Sequence, residues 1–430
     1  MSGAEIDDLF RRIDGQGEAL ASLTADLVRI PTINPPGDAY EACARFLGER
    51  LATRGFDVEY LRAAGALGDS DRYPRTNVVA RIEGDGPGPC VHFNSHIDVV
   101  EPGAGWTVDP FAGLVRDGRV YGRGTCDMKG GLAASVIAVE AILKSGVSFP
   151  GAIEISGTVD EESGGYAGVA WLAERGHFSK PRVDHVIIPE PLYKDAVCLG
   201  HRGVWWAEIE VRGRIAHGSM PFLGVSAIRG MAAFLAKVEH ELYPQLARRR
   251  TAMPVIPDGA RQSTLNFNSI HGGLDEQDMR EGFPSALVAD RCRVVLDRRY
   301  LMEEDEADVR AEMVEILDRL TAERDGFEYE LHELWSVPPT LTAPDSPLVQ
   351  ALDRNIARVL GIPSRHVASP GTYDQKHIAR LGHLYDCVAY GPGILDLAHR
   401  PDEWVGIADM VQSAQVMALA LEELLGLASE

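Results

Sequence analysis

Residues 151–165 read GAIEISGTVDEESGG. The first nine positions are mostly apolar or small and carry β-branched residues, the pattern of a buried strand. That strand runs straight into three consecutive acids, Asp160, Glu161 and Glu162, and then a glycine pair. Like charges crowded at a buried strand end repel one another unless they splay into solvent or a cation collects them. Most short acidic runs are solvated, so partners must come from elsewhere in the chain.

Outward from that stretch, strands alternate with helices. TNVVARI (76–82), CVHFNSHIDVV (90–100) and VDHVIIP (183–189) read as strands, and EACARFLGERLATRG (41–55) and GGLAASVIAVEAILKSG (130–146) as helices. Strands separated by helices imply a mixed sheet with much parallel character, covered by helices on both faces. In such a sheet the carboxyl ends of parallel strands share one edge, where open α/β folds build their sites.

The pattern changes after residue 201. A strand at 203–211, a helix at 224–242, strands at 263–270 and 290–300, a helix at 303–323 and a strand at 327–335 follow in turn. That β-α-β-β-α-β order is the ferredoxin-like split unit. The expected organisation is therefore a catalytic domain begun by residues 1–201, an inserted domain at 202–336, and completion of the first domain by 337–430.

Composition narrows the function. A net charge of -22 argues against nucleic acid and anionic membrane surfaces as partners. The polar, acidic N-terminus resembles neither a signal peptide nor an anchor. Six cysteines, the nearest pair being Cys90 and Cys126, form no CxxC motif, which suits a reduced cytoplasmic protein. GDGPGP (84–89) lies between two strands and so is a turn, and GRGTCDMKGG (122–131) lacks phosphate-loop spacing.

His96 and Asp98, two apart in an extended segment, point the same way. A carboxylate so placed can take the second ring N–H of a metal-bound histidine. Asp127 sits in the Gly-rich loop that opens the 130–146 helix, Glu190 ends its strand in IIPEP, and His399 lies in the late loop LDLAHRPDEW. Each alone is a weak signal. Together, two imidazoles and at least three carboxylates converging on one sheet edge call for cations, and two divalent ions would collect the acids.

With these motifs in order, the chain resembles the dinuclear metallo-amidohydrolases of the M20 peptidase group: acetylornithine deacetylase, succinyl-diaminopimelate desuccinylase, aminoacylases and carboxypeptidase G2. SHIDVV, GRGTCDMKGG, TVDEESGG, PEP, IAHGSMPFLGVSAI and AHRPDEW carry the resemblance over essentially the whole chain. It implies a zinc-exopeptidase-like catalytic domain with the inserted unit as a lid and dimerisation domain. One metal would take His96 and Glu190, the other Glu162 and His399. Asp127 would bridge them, with a cis peptide before Met128. Glu161 would be the general base, Asp98 the orienter of His96, and His217 a group reaching the reacting carbonyl from the partner subunit of a homodimer.

Arg299 would grip a substrate carboxylate or form a surface salt bridge; Cys292, Val294 and Leu296 form one apolar strand face and leave it on the other. Where common relatives carry a GGTDAR-like stretch, this chain has SPGTYDQKH (369–377), which sets Gly371, Thr372 and Tyr373, with Gln375 and Lys376, beside the substrate. The implied function is hydrolysis of a C–N bond with zinc, or cobalt or manganese, most simply deacylation of a small N-acyl amino acid. A dipeptidase or aminopeptidase is an alternative. So is hydrolytic release of ammonia from an activated aromatic amine, as in 5-nitroanthranilate aminohydrolase, for which Trp205, Trp206 and Tyr373 would suit a flat ring. A non-catalytic binding relative is the alternative from another class.

Overall fold

Every residue of the strand Cys90–His96 is buried, as is every residue of Ala152–Thr158. Neither strand can present a solvent face, so polar–apolar alternation is absent and both faces must be covered. The computed structural model, which describes residues 3–273 and 286–427, shows how. The chain divides into two compact units, one of Met1–Gly200, Leu341–Val367 and Tyr373–Glu430, the other of His201–Thr340 and Ala368–Thr372. The short stretch 368–372 groups with the second unit because Ala368 bridges to Val255 and Arg202 donates to the Pro370 carbonyl.

The first unit is built on a mixed sheet. Its strands lie in the order Asp57–Arg62, Thr76–Glu83, Ala152–Thr158, Cys90–His96, His185–Ile188, Cys387–Ala389, Ala196–His201. Cys90–His96 runs parallel to both of its neighbours, and Cys387–Ala389 continues the parallel set. In register His96 faces Thr158, so the histidine and the acidic run emerge at one edge. The small-residue helix Gly130–Ser145 is buried along nearly its whole length and packs against the C-terminal helix Ile407–Leu424. Gly131 lets it approach the sheet, since a Cβ there would stand 2.0 Å from the Pro189 carbonyl oxygen. That approach brings the Asp127 loop up to the strand end that carries Glu190.

Among the described residues the longer elements of the second unit follow the order β-α-β-β-α-β, beside a short pair, Ala216–His217 with Leu287–Val288. Its strands pair antiparallel in the order Thr264–Gly272, Arg291–Tyr300, Gly203–Arg212, Glu328–Val337. Ser226 caps the helix Ala227–Lys237 by accepting the Arg229 N–H, and Asp305 caps Glu306–Glu323 by accepting that of Ala307. Both helices thus begin three residues later than the sequence pattern implied, because the cap fixes the start. One sheet face packs Trp205, Ile209, Val294 and Leu296 against Phe234, Met313 and Leu317 of the helices. Trp205 is therefore a core residue, and Trp206 stacks edge-on against Trp335. Among the described residues no helix is long and apolar enough to cross a membrane, and all six cysteines are buried, none in a disulfide.

Candidate metal centre

His96 ends the central strand with its ring buried, and its Nε2 stands 3.0 Å from Asp127 Oδ1 and 3.8 Å from Glu190 Oε1. The other face of Asp127 meets a second group: His399 Nε2 lies 3.4 Å from Asp127 Oδ2 and 3.1 Å from Glu162 Oε2. Two triads result, His96–Asp127–Glu190 and Asp127–Glu162–His399, each with its donor atoms within 4.8 Å of one another. Asp127 belongs to both, and the Asp127–Met128 peptide is cis.

Burial and the nearby Asp127 push the Glu190 carboxyl well above the usual carboxylate range, and burial pushes Glu162 up to about 7. His399 is pushed up to about 10 by its contacts with Asp127 and Glu162. Burial would raise Asp127 and lower His96, yet their mutual contact and their other partners at the centre hold Asp127 low and His96 high. The pattern is one of crowded anions looking for positive charge. Two imidazole nitrogens and three carboxylates, one shared, are a donor set that fits two divalent cations of the zinc, cobalt or manganese type.

Of the three acids that opened the question, only one enters a triad. Asp160 turns inward, accepting from Arg75 Nε at 3.0 Å and from the Tyr40 hydroxyl at 2.9 Å. Glu161 stays outside both triads, its carboxylate 3.4 Å from Lys376 Nζ. Glu162 is the ligand candidate.

Asp98 does two things, one of them unexpected. His96 Nδ1 lies 3.0 Å from the Asp98 main-chain carbonyl oxygen and 3.6 Å from its carboxylate. The carbonyl is thus the nearer acceptor for the second ring N–H, leaving the Nε2 lone pair for the triad. The carboxylate meanwhile accepts the backbone N–H groups of Glu161 at 3.2 Å and Glu162 at 3.1 Å, and Asn34 Nδ2 at 2.9 Å. One residue so orients the histidine and fixes the acidic turn.

Sequence reasoning passed over Glu403. It is fully buried, accepts the N–H groups of Cys126 at 2.8 Å and Asp127 at 3.1 Å, and pairs with Arg123. The C-terminal loop that supplies His399 therefore also holds the backbone of the shared ligand. Its place four residues after His399 was the available signal. Outer-shell partners of this kind are worth about 10–100-fold in metal affinity, so Glu403→Ala should weaken metal binding by about that factor, as read by competition with a chelating dye. Unchanged affinity would make Glu403 a fold residue only.

His217 and Arg299 belong to the second unit. His217 is exposed, and its Nδ1 accepts the Ser219 N–H at 3.1 Å, which leaves the proton of the neutral ring on Nε2. Arg299 shares its strand face with Asp297, which takes Nε at 2.6 Å and Nη2 at 3.0 Å. Gly371 and Thr372 are half-buried, whereas Tyr373 is buried, its hydroxyl donating to Gln375 Oε1 at 2.6 Å.

Comparison with known proteins gives the family of the chain. The model of peptidase family M20/M25/M40 matches residues 92–423. Succinyl-diaminopimelate desuccinylase of Xylella fastidiosa is 30% identical over 410 residues, covering 94% of this chain and 98% of the relative. The enzyme of the same name from Thioalkalivibrio sulfidiphilus is 29% identical over 416 residues, with coverage of 94% and 98%. Human carnosine dipeptidase 1 shares the fold, with a TM-score of 0.73 at 19% identity over 98% of each chain. A Bacillus subtilis protein described as a dinuclear metal binding peptidase superposes with a TM-score of 0.67 at 17% identity, over 96% of this chain and 99% of its own. With the family model spanning the strand of His96 through to the helix that follows His399, the chain belongs to peptidase family M20/M25/M40 and is a metal-dependent amidohydrolase.

Proposed function

We propose that the protein deacylates a small N-acyl amino acid, with two divalent cations held by His96, Asp127, Glu162, Glu190 and His399. The observation that carries this reading is the pair of triads joined through Asp127, with the carboxylate of Glu161 left out of both. When bound, the cations supply Lewis acidity to the scissile carbonyl and acidify the attacking water. Glu161 takes the proton of that water and delivers it to the leaving amine nitrogen. His217 supplies an Nε2–H, its tautomer set by the Ser219 N–H, to the carbonyl oxygen as negative charge develops there. Asp98 keeps Glu161 in place through the Glu161 N–H.

The substrate reading draws on the desuccinylase names of the relatives and on Arg299. Asp297 occupies the Nε side of the guanidinium, and the end-on edge of Nη1 and Nη2 remains for a substrate carboxylate. The test is turnover of zinc-, cobalt- or manganese-loaded protein against N-acyl amino acids, dipeptides and substituted anilines. N-acyl amino acids should be fastest, and Arg299→Ala should raise KM for them far more than for their carboxamides. Faster turnover of dipeptides or anilines would replace the deacylase reading.

The second unit, with its β-α-β-β-α-β order, is read as the ferredoxin-like dimerisation and lid domain on a zinc-exopeptidase-like catalytic domain, in a cytoplasmic homodimer. Beside His217, the exposed Ile215, Met220, Phe222 and Leu223 offer an apolar surface for a second copy to cover. If His217 acts across that dimer, mixing inactive His217→Ala with inactive Glu161→Gln should recover up to about a quarter of wild-type activity through hybrid dimers, as statistical pairing allows. Subunit exchange shown by mass with no recovery would place His217 in cis or outside catalysis.

A further inference from the structure

We propose that Lys376 is a positioning residue for the general base, holding Glu161 by one carboxylate oxygen so that the other is left for the travelling proton. The inference rests on Glu161 being that base. Lys376 lies in the first turn of the helix Gln375–Gly382, and its side chain is 1% exposed. Its Nζ stands 3.4 Å from Glu161 Oε1, and among the described residues no other acceptor for it is recorded. A buried ammonium is unfavourable without an anion beside it, and here the nearest one is the catalytic carboxylate.

The platform beneath Lys376 is rigid. Gln375 Nε2 donates to the carbonyl oxygens of Leu199 at 3.1 Å and Cys387 at 2.6 Å, and to Thr342 Oγ1 at 3.0 Å. His377 Nε2 lies 2.6 Å from the Gly164 carbonyl oxygen, tying the helix directly to the acidic turn. A Cβ on Gly165 would come within 2.9 Å of Asp374 Oδ1, so the two turns are pressed together.

Asp374, two residues before Lys376, is a second buried carboxyl. Its Oδ2 accepts from Asn94 Nδ2 at 3.1 Å, while its Oδ1 has no hydrogen-bond partner. Among the described residues Glu161 is the only ion-pair partner of Lys376, which is too enclosed to meet substrate itself. What remains for it is to set the direction of Glu161. The stretch 369–377, read from sequence as a substrate wall, would then serve the base instead.

The experiment is a double-mutant cycle on the metal-loaded enzyme, with Lys376→Met and Lys376→Arg made alone and with Glu161→Gln. Misplacing a catalytic group by about 1 Å costs on the order of 100-fold. Lys376→Met should accordingly lower kcat by about 10- to 100-fold, with KM and metal content per chain unchanged. Lys376→Arg should recover part of that loss. With Gln at 161, Lys376→Met should cost almost nothing further. An equal loss in both backgrounds, or no loss with Glu161 intact, overturns the proposal. If Lys376→Met does not fold, the same cycle with Lys376→Arg and Lys376→Gln decides by the same criterion. Full activity in Glu161→Gln alone would instead overturn the general-base reading on which the inference stands.

Discussion

Glu161→Gln is expected to keep its metal ions and lose about two to four orders of magnitude in kcat, the range for removal of a general acid–base group. Glu161 lies in neither triad, and its side chain contacts Lys376 rather than the imidazoles. Glutamine has nearly the same shape and can turn its carbonyl oxygen to the lysine. It cannot accept the proton of the attacking water at neutral pH. Glu162→Gln makes the contrast: Glu162 Oε2 lies 3.1 Å from His399 Nε2, within the second triad. That variant should lose one metal first and activity as a consequence. Metal content by elemental analysis beside kcat separates the two. Equal metal loss in both variants would show that their roles are exchanged.

Much of this centre was legible because the sheet is. A mostly apolar strand that ends in a histidine or an acid can be seen in one dimension, and parallel strands must deliver their ends to one edge. His96, Glu190 and the acidic run follow from that as candidates, and Asp127 from the helix opening beside it, whereas the choice of Glu162 within the run came from the family resemblance. The atoms were less legible than the residues. Period-two geometry put Asp98 beside His96, yet the nearer contact is through the Asp98 carbonyl, and the carboxylate is used on the acidic turn.

Long-range partners left little trace in the local pattern. Asp160 is held by Arg75, 85 positions away, and Glu403 reaches Cys126 across 277 positions. Tyr373 looked like a substrate contact because an aromatic ring stood in a departing motif. Its hydroxyl finds Gln375 two residues on, inside the protein, and the ring follows it in.

Asp127→Asn should have the widest effect of any ligand substitution, weakening both metals at once. The two oxygens of Asp127 serve different histidines, Oδ1 at 3.0 Å from His96 Nε2 and Oδ2 at 3.4 Å from His399 Nε2. Asparagine keeps one oxygen and replaces the other with an NH2 group, a donor that repels a cation and cannot ligate it. It also removes the negative charge that the two sites share. Glu190→Gln should by contrast weaken only the site of His96, and Glu162→Gln only that of His399. Titration of metal-free protein with zinc should then give two binding events for wild type, one tight event for each Glu variant, and none of wild-type affinity for Asp127→Asn. Activity should be undetectable in Asp127→Asn at zinc concentrations that saturate the wild type. If Asp127→Asn instead binds two ions as tightly as wild type, the sites are independent and Asp127 is no bridge. If it loses only one, the oxygen facing the surviving site is the one asparagine has kept, and the bridge is asymmetric.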